Sequence, residues 1–170
     1  DAVGNTSEKK SYTVQIDQTA PVVQKKSKNF DSTYLTNGNK AQKFDFYINE
    51  GNSGIPADAK EYTLKLGSSA VALTKVNTLA DAAATGNLIV IGNAEGTGAD
   101  TKYPIEIQLG TSAFTNLSGS QPVTITVKDN AGNSSNATII GTMDIDSTPP
   151  VPSFTSPSAN SNVNKEVEIK

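Results

Sequence analysis

Strict alternation of apolar and polar residues is the feature of this 170-residue chain that leaves the fewest folds open. Phe44, Phe46 and Ile48 alternate with Asp45 and Tyr47, and Tyr62, Leu64 and Leu66 with Thr63 and Lys65. Ile105, Ile107 and Leu109 alternate with Glu106 and Gln108, and Val123, Ile125 and Val127 with Thr124 and Thr126. Successive side chains of a strand point to opposite faces, so each run presents one apolar and one polar face and asks for a sheet buried on one side. Gly, Asn, Pro or Ser bounds each run, as turns between short antiparallel strands require. Only the alanine-rich residues 78–85 suit a turn or two of helix. The expected fold class is all-β, an antiparallel sandwich or barrel.

Composition removes whole classes of chemistry. The chain has no Cys, His, Trp or Arg, and its basic residues are all Lys. Without Cys or His there is no Ser-His or Cys-His nucleophile pair, no zinc finger and no iron–sulfur ligation. A net charge of −3, with dispersed lysines and no guanidinium to read a base edge or clamp a phosphate, argues against nucleic acid. The longest apolar run, residues 88–91, is far too short to span a bilayer. No signal peptide opens the sequence, so in an exported protein this segment is expected to be mature or internal.

The chain also repeats itself. D-A-V-G-N-T-S at residues 1–7 returns as D-N-A-G-N-S-S at 129–135, and S-Y-T-V-Q-I-D-Q-T-A-P at 11–21 returns as I-G-T-M-D-I-D-S-T-P-P at 140–150. Two coincidences in the same order and nearly the same spacing point to a tandem array. The expected division is a C-terminal hairpin and strand of one unit at 1–17, a complete unit at 18–147, and the start of a third at 148–170.

D-x-T-A-P or D-x-T-P-P at the unit start, S-G-I after the second strand and V-T-I-T-V-K-D-N-A-G-N before the last strand together resemble the bacterial Ig-like domains strung in series in surface adhesins and other cell-envelope proteins. The resemblance implies an Ig-like antiparallel β-sandwich, extracellular at the cell surface. The unit is longer than a standard Ig sandwich of about 100 residues, so extra loops or a hairpin are expected between Leu66 and Val123, with the Gly-rich residues 92–100 as one such place. On this plan strand A is 22–26, B 43–48, C 61–66, F 123–128 and G 138–145.

Strands of alternating direction bring the loop after B, the loop after F and the start of A to one pole. That gathers Asp17, Glu50 with the loop 51–54, and Asp129 with Asn130 and Asn133; Asp58 is within reach. Clustered carboxylates repel unless a cation or protons neutralise them. Oxygen-only ligands suit calcium rather than a transition metal. Calcium stiffening of unit junctions is also what the resemblance implies. The next junction would use Asp146 and, less securely, Asp144, which stands where the earlier copy has Gln15. A second role for the same residues needs no metal: Asp opening a turn accepts its own backbone N–H groups, and Gly before Asn is ordinary hairpin chemistry. The two roles are compatible.

Three further possibilities are weaker. Asp45 and Glu106 could form a hydrolytic carboxylate pair, but their alternation marks a solvent face. Lys43, Lys65 or Lys128 could form a Lys–Asn cross-link of the kind some Ig-like surface domains carry, against the simpler reading of lysines on a wet face. Residues 70–103 could form loops for a glycan or protein, although the chain is poor in aromatic platforms. The expected function is a non-enzymatic structural module, a spacer or stalk of a prokaryotic adhesin. Its partners would be neighbouring units of the same chain. The alternatives are a surface-layer or filament subunit that packs against copies of itself, and a glycan- or protein-binding module.

Overall fold

A computed structural model describes residues 2–26, 34–35, 41–79, 86–114, 116–146 and 148–153. Ten strands are described: β1 (Val22–Lys25), β2 (Tyr34–Leu35), β3 (Gln42–Asn49), β4 (Tyr62–Leu66), β5 (Ser69–Val71), β6 (Thr74–Lys75), β7 (Leu88–Ile91), β8 (Lys102–Leu109), β9 (Gly119–Val127) and β10 (Thr138–Ile145). They form two five-stranded sheets, ordered β1-β3-β8-β7-β6 and β2-β10-β9-β4-β5. All pairings are antiparallel except β2 with β10 and β6 with β7. The all-β expectation holds. Among the described residues helix is confined to short 3-10 turns, and no helix is long and apolar enough to cross a membrane.

The alternating runs are strands, and their apolar sets form the core between the sheets. Phe44, Phe46 and Ile48 on β3 face inward beside Ile105 and Ile107 on β8, with Phe46 opposite Ile105 and Phe44 opposite Ile107. On the other sheet Leu64 pairs with Ile125, and both are buried with Tyr62, Leu66, Val123 and Val127. Met143 and Ile145 on β10 complete this layer. Burying aliphatic and aromatic side chains on one face of each sheet is the main force joining the two.

Two expectations change in detail. The segment 70–103, where the alternative of a binding module would place its loops, contributes strands to both sheets; the extra hairpin expected between Leu66 and Val123 is β7–β8, and residues 92–101 form its connection, closed by a bridge between Glu95 and Lys102. Gln108, read as a solvent-face residue, is buried. Its Nε2 donates to the Gly86 oxygen at 3.4 Å, and Asn87 Oδ1 accepts from the Gly110 amide at 2.9 Å. The helical turn expected at 78–85 falls largely on residues outside those described.

Candidate metal centre

Two hairpin-like loops and the segment leading into β1 meet at one pole. β3 ends at Asn49, and Glu50 turns its carboxylate back on its own loop. Glu50 Oε1 accepts from the amides of Asn52 at 2.7 Å and Ser53 at 3.1 Å, which holds the side chain 4 % exposed. Gly51 is required here by space, since a Cβ on it would collide with the main-chain oxygen of Gly98. After β9, Asp129 does the same for the next hairpin: Oδ1 accepts from Ala131 N at 2.9 Å and Asn133 N at 2.8 Å. Gly132 supplies the left-handed residue of that turn at φ +94°. Asn130 ties the two loops together, with its amide on the Gly54 oxygen and its Nδ2 on the Ser53 oxygen, both at 3.0 Å.

Asp17 closes the arrangement from the incoming chain. Its Oδ1 accepts from Thr19 N at 2.9 Å and Asn52 Nδ2 at 3.4 Å. One carboxylate oxygen each from Asp17, Glu50 and Asp129 lies within 4.8 Å of the others. Asp17 Oδ2 and Ser53 Oγ are buried without a hydrogen-bond partner. The Ser53 hydroxyl, beside the Asp17 carboxylate without completing a hydrogen bond, and the Thr19 amide lower the Asp17 pKa below its ordinary value.

This donor set fits a hard cation. Oxygens about 2.3–2.6 Å from a shared calcium can stand up to about 5 Å apart, which accommodates the observed spacing. A cation would also give Asp17 Oδ2, which lacks a hydrogen-bond partner, a counter-charge. Beside the three acids opens a cleft of about 570 Å³ lined by Gln15, Ile16, Asn52 and Ala131 among others.

The expected residues divide clearly. Asp17, Glu50 and Asp129 are brought together, and Asn130 and Asn133 adjoin them. Both carboxamides use Nδ2 as a donor here, Asn130 to the Ser53 oxygen at 3.0 Å. Asn133 Nδ2 reaches Asp129 Oδ2 at 2.8 Å and the main-chain oxygens of Asp17 and Thr19 at 3.2 and 3.4 Å. Asp58 is outside the acid group; it caps a short 3-10 turn by accepting from Lys60 N at 3.0 Å. Asp144 and Asp146 lie at the far end of β10, where Asp146 accepts from Thr148 N at 2.9 Å. The loop hydroxyl of Ser53 was not singled out beforehand; its place in the turn that Glu50 closes is the signal that identifies it.

Elsewhere, Lys43, Lys65 and Lys128 are all exposed, without the burial that a Lys–Asn cross-link demands. Asp45 and Glu106 are cross-strand neighbours on the outer face of their sheet, with Asp45 ion-paired to Lys26 at 3.3 Å. Tyr47, on the same face, has the Lys26 and Lys102 ammonium groups 4.5 and 4.6 Å from its ring centroid. The chain matches no protein-family model, no curated protein and no solved structure.

Proposed function

We propose that the chain carries one Ig-like unit of a tandem array on a prokaryotic cell surface, a structural spacer or adhesin stalk whose junctions are stiffened by calcium. The observation that carries this reading is the position of Asp17. It belongs to the segment entering the unit, yet its carboxylate sits against Glu50 and Asp129 from two loops of the body. An ion shared among the three would convert a hinge between consecutive units into a fixed angle. The absence of Cys and His from the residue inventory and the apolar core between the sheets are in keeping with a structural module.

The repeat supports the serial arrangement, because D-x-T adopts the same turn at both places: Thr19 N meets Asp17 Oδ1, and Thr148 N meets Asp146 Oδ1, each at 2.9 Å. Differential scanning calorimetry with calcium and with chelator tests the ion. A higher melting temperature in calcium is expected, at affinities on the order of 10⁻⁴ to 10⁻³ M as in other extracellular modules. Identical melting in both buffers would sink it. Small-angle scattering tests the spacer role, with an elongated monomer expected and ordered sheets or fibres on calcium addition counting against it.

A further inference from the structure

Residues 2–20 form no strand among those described, yet residues 12–16 have the pattern of one. Tyr12, Val14 and Ile16 alternate with Thr13 and Gln15 and are 86 %, 77 % and 81 % exposed. Their counterparts in the second copy of the motif, Met143 for Val14 and Ile145 for Ile16, are 0 % and 3 % exposed on β10. Thr13, Ile16 and Asp17 recur unchanged as Thr142, Ile145 and Asp146. The local backbone recurs as well. Gly4 has φ +90° where Gly132 has φ +94°, and the Asx turn at Asp17 matches that at Asp146. The left-handed glycine, the alternating pattern and the closing turn therefore all recur at the start of the chain, and only the sheet is lacking.

We propose that residues 12–16 are the last strand of a second copy of this fold, joined in series ahead of residues 18–147, and that they pair antiparallel with that copy's counterpart of β9. The unit at 18–147 cannot supply the partner itself. To lie along this β9 and still end where Asn133 holds the Asp17 main chain, residues 12–16 would have to run toward that pole as β9 does, a parallel pairing where β10 is antiparallel. Moreover, β9 already has β10 and β4 on its two sides.

The register of β10 transfers directly. Thr13, Val14, Gln15 and Ile16 would stand opposite the counterparts of Pro122, Gln121, Ser120 and Gly119. One difference is expected. The ladder of β10 shifts between Ile139 and Gly141, and the first copy of the motif is a single residue shorter between its hairpin and its strand. The shorter connection has one residue fewer with which to form that bulge, so the proposed ladder is expected to run straight. Val14 and Ile16 then enter the copy's core as Met143 and Ile145 enter this one.

This inference rests on the tandem reading above, and one fusion tests both separately. Residues 18–128 are placed ahead of the full chain, so that residues 1–17 must provide the missing hairpin and strand. In a control fusion, residues 129–145 replace residues 1–16 at the junction. Amide exchange at residues 13–16 is expected to slow on the order of 100-fold relative to the 170-residue chain, as strand amides in a folded unit do. Val14→Asp with Ile16→Asp should erase that protection and melt the added unit alone. Should the control show two folded units while residues 13–16 exchange as freely as in the 170-residue chain, the strand assignment is overturned and the tandem reading stands. A control with one folded unit would overturn both.

Discussion

Asn133 Nδ2 donates to the main-chain oxygen of Asp17 at 3.2 Å, across 116 residues of sequence. The same group reaches Asp129 Oδ2 at 2.8 Å, so one carboxamide fixes the entering segment to the hairpin that holds one of the three clustered acids. Docking of the linker thus has a part that needs no ion.

Replacing Asn133 with Ala should loosen residues 17–19 while leaving the sheets intact. Loss of a part-buried hydrogen-bonded carboxamide is expected to cost about 1 kcal/mol in urea unfolding. The local signature is faster amide exchange at Thr19 in calcium and in chelator alike. An effect confined to calcium-loaded protein would contradict the ion-independent role.

Glu50→Gln separates charge from hydrogen bonding. The amide oxygen of Gln can still accept from Asn52 and Ser53, so the loop is kept, while one of three mutually repelling carboxylates disappears. In chelator the variant should melt at the wild-type temperature or above it. In calcium it should lose most of the wild-type gain. A drop of equal size in both buffers would mean that Glu50 acts only as a turn former.

Acid should release the linker before it unfolds the sandwich. The Asp17 pKa lies below its ordinary 3.8, lowered first by the Ser53 hydroxyl and then by the Thr19 amide. A carboxylate that binds its proton less readily when docked contributes fully above pH 3.8 and loses that contribution as pH falls through its lowered folded-state value. Asp17→Asn should flatten the pH dependence of exchange at Thr19 in that window. Superimposable profiles for variant and wild type would refute the assignment.

The core predicts a larger loss. Phe46 is fully buried on β3 opposite Ile105, and Phe46→Ala should destabilise by roughly 3–5 kcal/mol through lost burial and the cavity left behind. Asp45→Ala, one residue away on the outer face, should cost far less, since its part-exposed ion pair with Lys26 is screened by solvent and no core contact is lost.

Much of the fold was legible because strand alternation is a local rule. Tyr62, Leu64 and Leu66 declare their inward face without reference to any partner, and the last strand was bounded at 138–145, as observed. Gln108 shows where the rule ends. Its alternation places it on the outer face, yet it is buried with its Nε2 on the Gly86 oxygen, and no pattern within β8 reports what another segment does. The site was half legible for a similar reason. Strand direction sends Asp17, Glu50 and Asp129 to one pole, so their meeting follows from topology. The use of Asn130 and Asn133 as donors, and the stranding of Ser53 Oγ, depend on where loops come to rest.

By itself, then, the sequence determined the all-β class, the inward set of each alternating strand, the duplicated turn-and-strand motif and the three acids that share a pole. These follow from periodicity, composition and repetition, which act over a few residues or by comparison of like with like. Only the tertiary structure decided which strands neighbour one another, that Gln108 is buried, that Asp58 caps a turn instead of joining the acids, and that residues 12–16 stand exposed where their counterparts are core. Those outcomes depend on contacts between segments distant in the chain, whose free energy is set by the packed whole and not by any one segment.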